Sequence, residues 1–241
     1  MPTLRLTRRA LRAAAVLLPL LAGPLHAADR NMGWGDSTPG HMDLTFDCAN
    51  PPAEATLVVS FVSPVSDLIG IEAKVDMCTK PYDLPEWWRF DVPGGCREGL
   101  IELSTDFASG PASHAVAWSG STSEALQVIY GYTWSTAMNR FAVTVANANG
   151  QPSPLVIGNE YYAFKLRLVT PTGPCAGCAI PACFVINSLV LVHSGGVTET
   201  SLLDGYARWQ GDNDCPFVVA AAPTTWGRVK AIYRSSPVVT E

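Results

Sequence analysis

"LIGIEAKVDM", residues 68–77, alternates without a break: Ile69, Ile71, Ala73, Val75 and Met77 on one parity, Gly70, Glu72, Lys74 and Asp76 on the other. Successive side chains of an extended chain point to opposite faces, so a period of two predicts a strand with one face buried and one wet. Outward from it lie five further stretches of the same kind. They are "ATLVVSFV" (55–62), "LQVIYGYT" (126–133), "NRFAVTVA" (139–146), "YYAFKLRLVT" (161–170) and "CFVINSLVLVH" (183–193). Gly, Pro, Asn and Ser clusters such as "SPVSD", "NANGQPSP" and "HSGGVTET" punctuate them as turns. Many short strands with turn signals every ten or so residues predict an all-β antiparallel sandwich, jelly-roll or immunoglobulin-like in kind. The one helical pattern is "TTWGRVKAIYR" (224–234), where Trp226, Val229, Ile232 and Tyr233 share a face and Thr224 or Thr225 could cap it.

The N-terminus predicts the compartment. Arg5, Arg8, Arg9 and Arg12 precede the apolar run "AAAVLLPLLAG", and small residues follow at "HAAD". That order is the pattern of a secretory signal, with cleavage after Ala27 or Ala28. The run is too short for a bilayer, which needs about 20 apolar residues. Residues 1–27 are therefore expected to be a signal peptide and 28–241 a single domain, secreted to the periplasm or beyond. Among 241 residues there are 16 basic and 21 acidic side chains; removing the signal's four Arg leaves 12 against 21, a net of about −9. An acidic chain without a basic stripe makes a poor partner for nucleic acid or for an anionic membrane.

"GPCAGCAIPACF" (173–184) holds Cys175, Cys178 and Cys183. Haem attachment would need His after C-x-x-C, and Ala179 stands there. A redox pair would open a helix, whereas Pro174, Gly177 and Pro181 surround this one. Cys175 and Cys178 have zinc-knuckle spacing, with Cys96, Cys215 or His193 as a distant fourth ligand. An oxidising compartment favours disulfides instead. Seven cysteines, Cys48, Cys78, Cys96, Cys175, Cys178, Cys183 and Cys215, allow at most three bridges and leave one over. Spacing does not give the connectivity.

Four segments together, "LPEWWRFDVPGGCR" (84–97), "CAGCAIPACFVINSLVLV" (175–192), "RWQGDNDCP" (208–216) and "TWGRVKAIYR" (225–234), resemble a family of uncharacterised secreted bacterial β-proteins. That family carries P-x-W-W-R-F…C-R, C-x-G-C-x-x-P-x-C, W-Q-G…C and T-W-G-x-V-K-x-x-Y-R. The resemblance implies no activity. Its members have a cysteine shortly after the first tryptophan, where this chain has Ser37. The resemblance thus implies a lost bridge, with Cys48 as the odd thiol, Cys78 as the alternative, and Cys78, Cys96, Cys175, Cys178, Cys183 and Cys215 as the bonded set. More distantly, residues 56–77 resemble the opening strands of cohesin-like and immunoglobulin-like sandwiches.

Catalytic signals are sparse. Outside the signal only His41, His114 and His193 could serve as a base, and none has a motif beside it. Gly35-Asp36-Ser37 matches the core of the GDS-type esterase block, but polar residues precede it and no Asp-x-x-His follows, so a polar turn is expected. Asp212 and Asp214 lack the remaining spacing of a calcium loop. No cofactor or metal is expected. Asp83 and Glu86 flank Trp87-Trp88, an arrangement a sugar site could use. Alternation in a strand would instead send one tryptophan inward and its neighbour outward. The expected function is a non-catalytic extracellular or cell-surface module, structural or binding, whose partner is a glycan or another surface protein. The alternative is a secreted carbohydrate-binding protein or glycoside hydrolase using exposed Trp and paired acids. Either would use the region of Trp87, Trp88, Arg89 and Arg97, where aromatic faces and planar guanidinium groups suit sugar or peptide.

Overall fold

The alternation of residues 68–77 becomes the centre of a sheet. The computed structural model describes residues 30–38, 40–79, 83–132, 137–199 and 205–211. Along the chain run β1 (Arg30–Trp34), β2 (Asp43–Leu44), β3 (Glu54–Val62), β4 (Asp67–Leu68), β5 (Gly70–Thr79), β6 (Ile101–Ser104) and β7 (Ala115–Val116). Then come β8 (Thr122–Tyr132), β9 (Ala137–Asn147), β10 (Ser153–Pro154), β11 (Glu160–Val169), β12 (Ala182–His193), β13 (Gly196–Glu199) and β14 (Tyr206–Trp209). Each of the six predicted strands is present. The signal stretch 1–27, the C-terminal helical pattern, Asp212, Asp214 and Cys215 lie outside the described residues.

Two main sheets form. One has the order β1-β3-β11-β6, with β7 also on β11; the other runs β2-β14-β12-β5-β9-β8, with β13 also on β12. All pairings are antiparallel except β7 with β11 and β2 with β14. Side chains of both sheets enter one core. Leu57, Val59 and Phe61 from β3, with Phe164, Leu166 and Leu168 from β11, share it with Ile71, Val75 and Met77 from β5, Phe141 and Val143 from β9, and Phe184 from β12. This is an all-β antiparallel sandwich, stapled by disulfides.

Alternation holds in β5: Ile71, Ala73, Val75 and Met77 are buried, while Glu72 and Lys74 are exposed. Asp76 shares their outward face yet is buried, because Arg140 grips it through two hydrogen bonds of 2.7 and 2.8 Å. β11 and β12 do not alternate cleanly, and bulges explain why. In β12 the register shifts between Ile186 and Ser188, so the inward set Phe184 and Ile186 continues as Leu189 and Leu191. In β11 the shift falls between Tyr162 and Phe164. Tyr162 thereby leaves the main core and stacks on Phe107 at 4.9 Å beneath the loop that follows β6.

The bonds Cys48–Cys178 and Cys96–Cys175 tie together the loops after β2, β5 and β11. Cys183 is also disulfide-bonded, and Cys78 is a buried free thiol. Two expectations are corrected here: Cys48 is not the odd thiol, and Cys78 is not bonded. The departure at Ser37 left Cys48 its partner, because that partner is Cys178 on another loop. Cys78 lies near the end of β5 in register with Cys183, and burial pushes its thiol up to about 12, with Asp76 adding to the effect. Cys175 and Cys178 take different partners, so no zinc knuckle forms. Disulfides of this kind persist in oxidising compartments, which puts the protein outside the cytoplasm. Among the described residues no helix is long and apolar enough to cross a membrane.

Candidate functional site

Loop 83–100 carries the chain from β5 in one sheet to β6 in the other. Pro85, with φ −58° and ψ 156°, starts a single 3₁₀ turn over Glu86–Trp88. The turn is held at both ends: Trp88 N–H donates to Pro85 O at 2.9 Å, and Trp87 N–H donates to Ala176 O at 2.9 Å. The bond Cys96–Cys175 fastens the far side of the loop to the same neighbouring segment. In a 3₁₀ turn, adjacent residues need not face opposite ways, and both tryptophans are buried, Trp87 at 3% exposure and Trp88 at 0%. The expected in-and-out pair is therefore absent, and neither indole is exposed.

Both rings join an aromatic cap at one end of the sandwich. Its centre is Trp209 on β14, met by Phe46 at 4.7 Å, Trp88 at 5.0 Å, Trp34 at 5.7 Å and Trp87 at 6.0 Å, mostly edge to face. Indole N–H groups bind the cap to the backbone: Trp209 donates to Cys178 O at 2.7 Å and Trp34 to Arg208 O at 2.8 Å. Arg97 lies beneath the loop with no exposure at all. Its Cζ sits 4.6 Å from the Trp87 ring centre and 4.8 Å from that of Phe90, and its Nη1 donates to Val169 O at 2.7 Å. Burial lowers its pKa to about 10, so it stays cationic at neutral pH.

Of the four residues expected at a site, only Arg89 reaches solvent. Its Nε donates to Leu84 O at 2.8 Å, which fixes the side chain. It lines two clefts of about 280 Å³ each. One is bounded by Arg89, Asp91, Val92 and Tyr130, the other by Glu86, Arg89, Val92, Gly94, Gly95 and Cys96. The sequence reading missed Asp91, Val92 and Tyr130. The signal available was "VPGG" (92–95). Gly94 has φ +73°, and a Cβ on Gly95 would meet Val92 O at 2.9 Å, so the tight turn that borders the second cleft requires both glycines.

A second polar cluster lies on the outer face of the first sheet. Asp36 accepts hydrogen bonds from Ser113 Oγ at 2.7 and 2.9 Å and from Tyr162 OH at 2.9 Å. Burial pushes the Asp36 carboxyl up, but these bonds and those from the Ser37 and Thr38 N–H groups outweigh it and lower its pKa. Ser37, the would-be esterase nucleophile, is 3% exposed. The three histidines have other partners: His41 Nδ1 lies 3.2 Å from Trp34 O, His114 pairs with Glu160 at 3.5 Å, and His193 meets Thr198 Oγ1 at 3.0 Å. Among the described residues no three His, Cys, Asp or Glu side chains converge so as to hold a metal. In comparisons with protein-family models and with curated proteins, no match to this chain was found.

Proposed function

We propose that this chain is a non-catalytic recognition module of the cell exterior, exported by its N-terminal basic and apolar stretch and kept intact there by its disulfides. Its partner is a glycan or another surface protein, met at the two clefts that share Arg89. The observation that carries this reading is the fixed Arg89 side chain between two open clefts on a loop clamped by Cys96–Cys175. A pre-set loop loses little conformational entropy on binding, which favours recognition. The rims combine a guanidinium fork, the carboxylates of Glu86 and Asp91, the Tyr130 ring and the Val92 side chain, a mixture suited to polar, partly apolar ligands such as sugars. Glu86 and Asp91 line different clefts, with Arg89 common to both. That separation favours binding over acid–base cleavage, which needs two carboxyls flanking one bond.

The test is a glycan array and a surface-protein pull-down with the exported chain and its Arg89→Ala variant. Binding by the wild type that drops at least tenfold in the variant supports the reading. Turnover of any polysaccharide, or binding indifferent to Arg89, overturns it.

A further inference from the structure

The two sheets differ in their free edges. Among the described residues the edge strands of the first sheet are β1 with five residues, β6 with four and β7 with two; in the second, β2 has two and β13 four. β8 ends the second sheet with eleven, Thr122–Tyr132, and among the same residues pairs with β9 alone, in unbroken register. Long exposed edges invite another strand, and proteins blunt them by shortening, by bulges, or with lysine and proline. β8, "TSEALQVIYGY", uses none of these. Only its start is guarded. Glu124 Oε1 accepts hydrogen bonds from Thr105 N–H at 2.9 Å and from Thr122 Oγ1 at 3.0 Å, which ties the segment after β6 to this edge. Beyond Glu124, residues 125–131 carry no charge.

The side chains of that stretch add to the edge. Leu126, Val128 and Tyr130 pack on the core yet are only partly buried; β6, which borders β8 from the other sheet, is four residues long. Ile129, on the opposite face, is 41% exposed. Tyr130 also lines the cleft of Arg89, Asp91 and Val92, so that cleft lies at the end of the edge itself. Residues opposite each other in paired strands share a face, with Cβ atoms about 5 Å apart. A residue paired with Tyr130 would therefore lie at the cleft. Arg140, Arg167 and Arg208 each pair with a carboxylate. Arg89 makes no ion pair among the described residues, not even with Asp91 in its own cleft. Its charge is left for an acid to meet.

We propose that β8 from Leu126 to Tyr130 is a docking edge for an extended segment of another protein. The segment adds as an antiparallel strand, with apolar side chains opposite Leu126 and Val128 and a carboxylate opposite Tyr130, facing Arg89. Along the partner the recognised pattern is acid-x-apolar-x-apolar, since antiparallel pairing meets Tyr130 first. Antiparallel addition continues the pairing of β8 with β9 and is the more stable form. This identification rests on reading the Arg89 clefts as the recognition surface, and it names the partner as protein rather than glycan. A strand edge offers N–H and C=O groups at a fixed spacing, which a polypeptide in β conformation matches and a sugar ring does not. A second copy fits less well, because chains with 12 basic and 21 acidic side chains after the signal stretch repel one another.

The experiment takes the full exported chain and a fluorescein-labelled peptide, TDTVTVT, that carries the pattern. Its controls are TKTVTVT, two forms of TDTVTVT N-methylated on one or the other alternate set of amides, and a panel of neutral and uronic-acid oligosaccharides. Fluorescence anisotropy reads binding, and amide hydrogen exchange reads its place. TDTVTVT should bind and slow exchange at residues 126–130 at least about tenfold relative to the free chain. TKTVTVT with the wild type, and TDTVTVT with Arg89→Ala, should each bind about tenfold more weakly. One N-methylated form should lose binding and the other keep it, because only alternate amides of an added strand face β8. No binding, slowed exchange confined to other residues, or equal binding of the two N-methylated forms overturns the docking edge. Dimerisation of the chain alone, with residues 126–130 protected in the dimer, assigns the edge to a second copy and overturns it too. Arg89-dependent binding of an oligosaccharide with no peptide bound overturns strand docking and leaves the recognition surface standing. Equal binding of TDTVTVT and TKTVTVT, unchanged in Arg89→Ala, overturns the carboxylate and the reading of the Arg89 clefts with it.

Discussion

Replacing both sulfurs of the outer bridge, Cys48→Ala with Cys178→Ala, should destabilise the protein by a calculable amount. The bridge spans a sequence separation of 130 residues, and Cys96–Cys175 spans 79 inside it. Loop-closure entropy for the outer bridge alone corresponds to about 5 kcal/mol at 25 °C. With the inner bridge in place the outer ring is shorter, because the chain from Cys96 to Cys175 is bypassed, leaving about 50 residues and about 4 kcal/mol. Lost packing of Cys178, which is 6% exposed, and of the Gln210 Nε2 contact to Cys48 Sγ at 3.1 Å adds about 1 kcal/mol. The expected loss is therefore about 5 kcal/mol, a large part of the stability of an ordinary domain. Guanidinium denaturation followed by tryptophan fluorescence measures it, since Trp209, bonded to Cys178 O, reports on this end of the sandwich. The slope should rise slightly, because the unfolded chain is less constrained. A loss under about 1 kcal/mol would refute the reasoning. So would an outer bridge whose contribution fails to grow when the inner one is removed first.

Three more outcomes follow from particular residues. The folded-state pKa of Asp36 is depressed below 3.8, so its contribution is present above that value and lost as pH falls through the folded one. The Tm difference between wild type and Asp36→Asn should be full at pH 6 and shrink as pH falls below 3.8; a gap independent of pH would contradict this. The Cys78 thiol is 2% exposed with its pKa raised to about 12, so iodoacetamide should leave the native protein unlabelled at pH 8 and add one adduct after unfolding without reductant. Prompt native labelling, or more than one adduct, would count against the bonding described. Gly177 has φ +107°, and a Cβ there would meet Pro85 Cβ at 2.3 Å. Gly177→Ala should therefore cost at least about 2 kcal/mol by strain and clash, read as a lower Tm; an unchanged Tm would refute the close approach.

The strands found from sequence and those missed differ in length. All six long strands were legible because each is a run of nine or more residues rich in apolar and β-branched side chains between turn signals; β5 alternates throughout its wet half, while β11 and β12 change parity at a bulge. β2, β4, β7 and β10 have two residues each, too few to show any period, and exist because a neighbour offers a free edge. The tryptophan pair sits in an element comparably short, a three-residue 3₁₀ turn. Trp87 and Trp88 are expected from sequence at a binding surface, whereas Pro85 starts a tight turn and both rings are buried. Arg89 alone of the expected site residues ended at the surface, and Tyr130, some forty residues away, completes a cleft that no spacing could indicate.

By itself the sequence determined the class of the fold, since period-two burial and turn residues act over a few neighbours. It also set the number of bridges the cysteines can form, which is arithmetic. Only the tertiary structure decided which cysteines pair, because loop closure depends on where distant loops meet. Cys48 bonds Cys178 and Cys96 bonds Cys175 because the loops after β2, β5 and β11 converge at one end of the sandwich. The same convergence buried Arg97 between two aromatic rings and left Arg89 in the open. Two arginines eight positions apart thus hold opposite environments, a difference that no local rule contains.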